Sequence, residues 1–197
     1  NLEEATKYAA EDADVTLRLY NLLLERVNNE KLKKIYEVFE KPMVKLLSKL
    51  EINGVKVDDV YLKKLSKKFE ERLKKIEKEI YKVSGKEFNI GSPKQLGEII
   101  YNDLKIAKLK KTKKGSLATN ANVLEDLALT GHKFPKLILE WRQISKLKNT
   151  YSDALQDHIN KKTKRVHTSF LLAATNTGRL ASSDPNLQNI PIKTEEG

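Results

Sequence analysis

The positions of apolar residues predict a chain that is helical over most of its length. Apolar side chains recur at three- and four-residue steps over residues 2–27 and 32–50, with Pro42 as a kink or restart in the second helix. The pattern is clearest over residues 62–83, where a single apolar seam is flanked by lysine and glutamate. Such a seam favours an antiparallel helical hairpin over an intermolecular coiled coil.

Residues typical of turns and helix ends divide this pattern into elements. Asn53-Gly54 is a turn dipeptide, and the three residues after it alternate as in a short strand. Asp58 or Asp59 begins the third helix and Gly85 ends it. The fourth helix begins with a capping box of Ser92, Pro93 and Gln95. A short helix through Leu129 begins at Thr119 or Asn120 and ends at Gly131, and a long helix begins at Pro135.

The character of the chain changes after residue 165. The stretch "RVHTSFLLA" is rich in β-branched and aromatic residues and predicts a strand. The segment "TNTGRLASSDPNLQNIP", residues 175–191, has little apolar periodicity. We therefore expect a mainly α fold with long antiparallel helices and a short β portion at the C-terminal end, as part of an α+β architecture.

The composition is strongly basic. The 197 residues include 38 Lys and Arg against 27 Asp and Glu, a formal net charge of +11. This charge favours phosphate-rich partners, but lysines that merely solvate a helical surface would give the same composition. The absence of cysteine excludes disulfides, thiolate catalysis and cysteine-ligated zinc, and fits a reducing compartment. No apolar run approaches a membrane span, and Asn1 leads directly into a helical pattern, which suggests an N-terminus cut from a longer protein.

Tyr8 and Asp12 lie four residues apart and therefore on one face of the first helix. Asp12 could ligate a metal ion while the tyrosine hydroxyl orients a water molecule. The same spacing arises by chance in most helical proteins, where a buried tyrosine beside an exposed aspartate is the default.

Basic residues are concentrated in one helix and one loop. The helix over residues 140–151 carries Arg142, Lys146 and Lys148, and the first two have the spacing to meet successive phosphates. An ordinary exposed helix face is the alternative. The loop over residues 105–114 could follow a phosphate backbone or could be a solvated loop. Its six lysines are Lys105, Lys108, Lys110, Lys111, Lys113 and Lys114.

The segment over residues 175–191 combines a tight turn with many amide side chains. Gly178 allows the backbone to turn and to present the Arg179 guanidinium from a loop. The DNA minor groove offers similarly placed N3 and O2 acceptors on every base pair, so such side chains can sense pairing geometry without reading sequence. Turn formation alone is the alternative, but this density is unusual for a plain loop. The amides are Asn186, Gln188 and Asn189.

This segment closely resembles the motif that precedes the catalytic aspartate strand in family A DNA polymerases, the bacterial DNA polymerase I group. Other stretches are similar to the same family in the same order. "YAAEDADVTLRLY" resembles the last helix of its 3′–5′ exonuclease domain. "LEINGVKVD", "FNIGSPKQLGEII", "LKKTKKGSLAT" and "ILEWRQISKLKNTY" resemble the start of the polymerase domain and the thumb, and "RVHTSFLLAATNTGRL" enters the palm. The resemblance implies an exonuclease-like C-terminal helix over residues 1–30, a polymerase-domain start and helical thumb over 31–165, and a truncated palm over 166–197.

The resemblance also implies roles for single residues. Ser92 would touch a phosphate beside its role as a helix cap. Tyr8 and Asp12 would be the third exonuclease motif, with Asp12 a metal ligand only together with carboxylates upstream of Asn1. The implied DNA contacts are Arg179 in the minor groove at the primer terminus, Asn186, Gln188 and Asn189 beside it, Arg142 and Lys146 on the duplex from the thumb, Lys110, Lys111, Lys113 and Lys114 at the thumb tip, and Asn89 and Ser92 on primer-strand phosphates.

The implied parent enzyme adds deoxynucleotides to a primer with two Mg²⁺ ions held by palm carboxylates. In the family these carboxylates lie downstream of "PIKTEEG", and Asp184, in a Ser-Asp-Pro turn, is no substitute. We therefore expect an internal fragment that is inactive alone, has no cofactor of its own and binds primer–template DNA. Deoxynucleotides would bind only the full polymerase, which the resemblance implies is a cytoplasmic, nucleoid-associated bacterial protein with no membrane partner.

Two alternatives come from other functional classes. The chain could be a freestanding basic helical nucleic-acid-binding module with no enzymatic activity. It could also be a plain helical scaffold, which predicts no duplex preference and no effect of Arg179→Ala on binding. A further expectation is self-association through the truncated palm edge, because an unpaired strand over residues 166–172 would expose its backbone groups.

Overall fold

The computed structural model describes residues 1–29, 32–107, 115, 117–192 and 194–197. It is mainly helical, as predicted from the sequence, and none of the helices in these ranges is long and apolar enough to cross a membrane. Its elements in chain order are α1 (Leu2–Asn29), α2 (Lys33–Ile35), the π-helical π1 (Tyr36–Glu40), α3 (Lys41–Asn53), β1 (Val55–Lys56), α4 (Asp59–Ser84), α5 (Pro93–Glu98), π2 (Ile99–Asp103), α6 (Ala121–Leu129), α7 (Lys133–Lys146), π3 (Leu147–Asp153), α8 (Ala154–Asp157), β2 (Arg165–Val166), β3 (Ser169–Leu171) and β4 (Ala181–Ser183).

The chain divides into two compact units. The first comprises Asn1–Gly54 and His167–Gln188, and the second comprises Val55–Val166 and Asn189–Gly197. Their boundaries differ from those of the three segments that the family resemblance implies. Contacts define the units, whereas the resemblance defines the segments, so the segment assignment stays a prediction.

In the first unit, the predicted long helix forms as α1 but buries none of its residues. Pro42 lies in the first turn of α3, directly after π1, at the predicted restart. The helix α3 also fixes the small sheet of this unit through Glu51. Its carboxylate accepts a hydrogen bond from the Phe170 amide in β3 at 2.6 Å, and its main-chain oxygen lies 2.7 Å from His167 Nδ1.

The core of the second unit lies between α4 and α7. Lys133 of α7 pairs with Glu79 of α4, and Glu140, further along α7, pairs with Arg72, nearer the start of α4. The two helices are therefore antiparallel, as predicted for α4, although the partner is distant in sequence. Buried side chains on these helices are Phe69, Leu73, Ile76 and Ile80 of α4 and Phe134, Leu137, Ile138 and Ile144 of α7.

Most predicted caps occupy their positions, but two of the side chains do not form the predicted capping bond. The Asp58 carboxylate accepts from the Tyr61 amide at 2.9 Å, and Gly85 ends α4 with a φ of 74°. In the predicted capping box, Gln95 accepts instead from the Asn89 amide at 2.7 Å, because the Ser92 amide is already bonded to the Asn89 carbonyl. Asn120 occupies the N-cap position of α6 without a side-chain capping bond.

The prediction of one strand over residues 165–173 is wrong. The chain forms two short strands, β2 and β3, which pair with different antiparallel partners, β1 and β4. Thr168, between them, donates through its hydroxyl to the Ser183 and Pro185 carbonyls at 3.0 and 2.8 Å. β2 and β3 are both paired, but β3 lies in a two-stranded sheet with β4, so its other edge has no strand partner among the described residues. The expected exposed edge near residues 166–172 therefore stays a prediction.

Candidate nucleic-acid interface

Arg142, in the middle of α7, is a half-buried cation. Its Nη1 donates to the Thr119 carbonyl oxygen at 2.7 Å, which fixes one side of the guanidinium. Burial lowers the pKa of Arg142, yet an arginine stays protonated at neutral pH. Within the described part of the chain no carboxylate forms an ion pair with it. The site therefore holds a positive charge that no carboxylate among the described residues neutralises.

Lys146, the second cation predicted on this helix, is exposed and lines a recess of about 200 Å³. The opposite side of this recess is formed by the last segment of the second unit and includes Asn189 and Thr194. The Tyr151 hydroxyl donates to the Asn189 main-chain oxygen and so holds the two sides together. The structure thus brings together two of the residues predicted to bind DNA.

Lys148 differs from its two basic neighbours. Its Nζ lies 2.6 Å from Asp153 Oδ2, and its side chain is only 19% exposed. An internal carboxylate therefore already neutralises Lys148, which was not among the residues predicted to bind DNA.

Asn89 and Ser92 lie in the loop that leads into α5. Asn89 Oδ1 accepts from the Gly91 amide at 3.0 Å, which leaves Nδ2 with no partner among the described residues. Ser92 Oγ accepts from the Gln95 amide at 3.5 Å, so the cap uses its oxygen and leaves its hydroxyl hydrogen to donate. Both residues can therefore hold the loop and still offer a donor to a ligand.

Arg179 is presented from a closed turn in the first unit. Gly178 has a φ of 70°, and its amide donates to the Thr175 carbonyl at 3.3 Å. The Thr175 hydroxyl donates in turn to the Arg179 carbonyl at 2.9 Å. The Arg179 side chain is exposed, and no described residue bonds to its guanidinium. The geometry matches the presentation that the glycine predicts.

The amides after this turn are partly used within their own segment. Asn186 Oδ1 accepts from the Gln188 amide at 3.0 Å, and Gln188 Nε2 donates to the Leu180 carbonyl at 2.8 Å. Each side chain keeps one group for a ligand, Nδ2 of Asn186 as a donor and Oε1 of Gln188 as an acceptor. The turn-forming role and the binding role are therefore compatible.

For two other predicted groups, the exonuclease-like pair and the lysine loop, the structure provides little or no support. Tyr8 and Asp12 are both exposed on α1, so the expectation of a buried tyrosine is wrong. Among the described residues no cluster of three or more His, Cys, Asp or Glu side chains could hold a metal ion. The predicted DNA contacts Lys110, Lys111, Lys113 and Lys114, with Lys108, lie outside the described residues.

Two supporting roles are not predicted from the sequence. Thr175 closes the Arg179 turn, and Gln95 holds the Asn89 amide rather than its own cap. A hydroxyl three residues before a turn glycine is a recognisable local motif and could have identified Thr175. The bond of Gln95 depends on the path of the preceding loop, which the spacing does not specify.

Comparison with known proteins decides the family. A model of DNA polymerase family A matches residues 59–197, well over half of the chain. The chain belongs to DNA polymerase family A. The resemblance found in the sequence motifs is thereby confirmed.

Individual family A relatives match along nearly the whole chain. The DNA polymerase I of Rhizobium leguminosarum is 49% identical over 197 residues, which are 100% of this chain and 19% of that protein. The thermostable DNA polymerase I of Thermus thermophilus is 42% identical over 196 residues, 98% of this chain and 24% of that protein. The chain thus spans about a fifth to a quarter of the length of these relatives.

A solved family A structure shares the fold. The POL domain of Pol1 from M. smegmatis, in complex with DNA primer-template and dNTP, is 36% identical with a TM-score of 0.84. The match covers 91% of this chain and 31% of that chain. Family membership does not decide which single residues contact DNA, so the DNA contacts predicted for Arg142, Lys146, Arg179 and the other site residues stay predictions.

Proposed function

We propose that this chain forms the thumb and the beginning of the palm of a DNA-directed DNA polymerase and that it binds primer–template duplex. The longer protein would join deoxynucleotides to the primer by nucleotidyl transfer, in replication or repair. Family membership supports this reaction class. The proposal keeps the segments predicted from the sequence: an exonuclease-like helix over residues 1–30, a thumb over 31–165 and the palm from 166.

The observation that carries duplex binding is the half-buried Arg142 guanidinium. A cation partly removed from water needs a counter-charge, and no described carboxylate supplies one. A DNA phosphate would do so, or the guanidinium could donate to groove acceptors. Lys146, one helical turn further on, adds an exposed cation on the same side of α7.

The remaining predicted contacts supply hydrogen-bond donors and acceptors that would position the duplex. Asn89 Nδ2 and the Ser92 hydroxyl would donate to primer-strand phosphates, and Arg179, Asn186 and Gln188 would meet acceptors common to all base pairs. Such contacts position a duplex without selecting its sequence. This independence from sequence is what a template-directed polymerase requires.

The same comparison supports the proposed partners. The POL domain from M. smegmatis binds primer-template DNA and dNTP. We assign the primer–template duplex to this chain and the deoxynucleotide to the longer polymerase, together with a cytoplasmic, nucleoid-associated location. Self-association through the palm edge stays a prediction.

Mg²⁺ belongs in this proposal to the longer protein. Bound there, two ions would polarise the phosphoryl group and activate the primer hydroxyl. The described residues do not fit such a centre, since no three of their His, Cys, Asp or Glu side chains could hold a metal ion. No metal-dependent step is therefore placed on this chain. Asp12 as a ligand depends on carboxylates elsewhere in the longer protein.

Fluorescence anisotropy of the 197-residue chain tests the proposal. The probes are a recessed primer–template duplex and the matching single strand, each titrated over a series of salt concentrations. We expect tighter binding to the duplex and an affinity that falls steeply with salt. Arg142→Ala should weaken duplex binding roughly tenfold. It should also reduce the slope of log K against log salt concentration by about one, the value for one lost phosphate contact.

The matched control is Lys136→Ala. It removes the same charge from an exposed position of the same helix, but a rotation of about 100° per residue places it on another face from Arg142. We expect Lys136→Ala to change the duplex affinity much less. No duplex preference in the wild type, or equal effects of the two variants, would overturn the proposal and favour a non-specific basic surface.

A further inference from the structure

The last residues of the second unit, Asn189–Gly197, are tied to two helices by one guanidinium. Arg72 of α4 donates through Nη1 to Glu196 Oε1 at 2.8 Å. Through Nη2 and Nε it donates to Glu140 Oε1 of α7 at 2.7 and 3.2 Å. These bonds to Glu140 and Glu196 raise the pKa of Arg72, and the bond from Arg72 lowers the pKa of Glu196. Arg72 therefore joins α4, α7 and the C-terminal segment.

A second set of bonds holds the same segment in a compact turn. The Thr194 hydroxyl oxygen accepts from Gln143 Nε2 of α7 at 3.4 Å and from the Gly197 amide at 3.2 Å. A side chain at Gly197 would lie only 2.8 Å from the Pro191 carbonyl oxygen, so the backbone folds closely on itself there. The segment is thus a small folded piece whose attachment to α7 depends on a few polar contacts.

This segment forms one side of the recess that contains Lys146, and it begins at Asn189. Its attachment through Glu196 and Thr194, together with the bond from the Tyr151 hydroxyl to the Asn189 main-chain oxygen, therefore sets where Asn189 lies relative to Lys146. We infer that Arg72 is a positioning residue for duplex binding, which holds the segment against the helices so that both side chains meet the same DNA. This inference rests on the proposed function, because it takes Lys146 and Asn189 as DNA contacts.

The charges around Arg72 argue against a direct contact between Arg72 and DNA. Two carboxylates already share its guanidinium, and Arg72 and Glu140 are only 40% and 39% exposed. An arginine that donates to two carboxylates from different elements is held in one orientation. Its role is therefore to order other groups, in contrast to Arg142, for which the described residues supply no carboxylate partner.

The first experiment compares Arg72→Gln with Lys74→Gln. Lys74 lies on the same helix in an exposed pair with Glu70 at 2.7 Å, so its substitution removes the same charge. Hydrogen exchange of a peptide covering residues 189–197 is measured without DNA, and duplex affinity is measured by anisotropy. We expect Arg72→Gln to lose protection in this peptide and to bind duplex roughly threefold to tenfold more weakly. Lys74→Gln should change neither quantity appreciably.

A cross-link separates positioning from direct contact. The chain has no cysteine, so Gln143→Cys with Thr194→Cys can be joined selectively by a short bifunctional maleimide. In the Arg72→Gln background, this cross-link should restore duplex affinity to that of the cross-linked chain with Arg72 intact. Failure of the cross-link to restore affinity, or lost affinity with unchanged exchange, would overturn the inference, because Arg72 would then act on DNA itself.

The two proposals fail in different ways. A wild type without duplex preference would overturn the proposed function and, with it, the role of Arg72 in binding. A wild type that binds duplex, with Arg72→Gln binding equally well, would overturn the inference alone.

Discussion

The Lys148 ammonium lies 2.6 Å from the Asp153 carboxylate, five residues further along one continuous run of helix. Burial alone would raise the pKa of Asp153, but hydrogen bonds from Lys148, Ser66 and Ser152 outweigh it and hold that pKa below its ordinary value of 3.8. The pair thus stabilises the folded chain through the ionised carboxylate.

This relationship predicts how stability depends on acid. A carboxyl group whose pKa is lower in the folded state contributes stability above its unfolded pKa and loses it as the pH falls through the folded value. Asp153→Asn should therefore destabilise the chain at pH 7 by up to about 1 kcal/mol, a limit set by solvent screening of a pair that is 19% and 35% exposed. As the pH falls below the ordinary aspartate value of 3.8, the difference from wild type should shrink.

Urea unfolding at pH 7 and pH 3 checks this prediction. Asp157→Asn is the control, since it removes an exposed carboxylate four residues further along the same helix. A difference between wild type and Asp153→Asn that stays the same at both pH values would show that the carboxylate charge is not the cause.

A second prediction concerns the close approach of α5 to residue 117. Gly97 is buried, and a Cβ there would lie 2.7 Å from Leu117 Cβ. That atom is next to the backbone and cannot swing away. Gly97→Ala should lower the free energy of unfolding by about 1–2 kcal/mol, because overpacking outweighs the gain in helix propensity. Thermal unfolding should show a decrease in Tm of roughly 2–8 °C.

The double variant Gly97→Ala with Leu117→Ala tests the cause. Removing the Leu117 side chain beyond Cβ costs packing, but it also lets residue 117 move away. The effects of the two substitutions should therefore be less than additive. Strict additivity would mean that the two residues do not compete for space.

The sequence predicts local features of this chain well because their causes are local. The Asp58 cap and the Gly85 ending of α4 depend on residues within one turn. The partner of α4 is different, since α7 begins almost fifty residues after α4 ends and no pattern within α4 identifies it. The same limit explains the divided strand, because β2 and β3 pair with elements from distant parts of the chain.

The candidate site also contains some features that local sequence predicts and others that depend on tertiary contacts. Gly178 predicts the presentation of Arg179 because one residue and its φ decide the turn. The sequence places Lys148 on a face next to those of Arg142 and Lys146, and only the side-chain contact in the structure shows that Asp153 neutralises it. The sequence predicts α1 as a helix from its periodicity, yet the exposure of Leu22 and Leu23, 50% each, depends on what packs beside them and not on the helix itself.

A third prediction follows from the turn that presents Arg179. Arg179→Ala should reduce duplex affinity roughly tenfold and leave the Tm unchanged, because no described residue bonds to its guanidinium. Thr175→Val removes the hydroxyl that closes the turn and should weaken binding by a smaller factor. In the Arg179→Ala background, Thr175→Val should have no further effect, since the group that it positions is gone.

Anisotropy and thermal unfolding of the four chains measure this cycle. Lys45→Ala, an exposed cation on α3 in the same unit, controls for the loss of one positive charge. Equal losses from Lys45→Ala and Arg179→Ala would point to a general charge effect. A full loss from Thr175→Val in the absence of Arg179 would contradict its assigned role.

The last prediction separates the two functions of Asn89. Its Oδ1 accepts from the Gly91 amide at 3.0 Å and shapes the loop, whereas Nδ2 is the proposed phosphate donor. Asn89→Asp keeps an oxygen in the position of Oδ1 and replaces the donor by a second, negatively charged oxygen. The Tm should therefore change little, while duplex affinity falls about tenfold or more through the lost bond and repulsion of the phosphate.

Asn102→Asp, an exposed site in π2, makes the same change in net charge and is the matched control. Equal losses from the two variants would mean that the added negative charge, acting at a distance, explains the loss and that Nδ2 makes no contact. A larger loss at Asn89 with an intact fold would support Nδ2 as the contacting group.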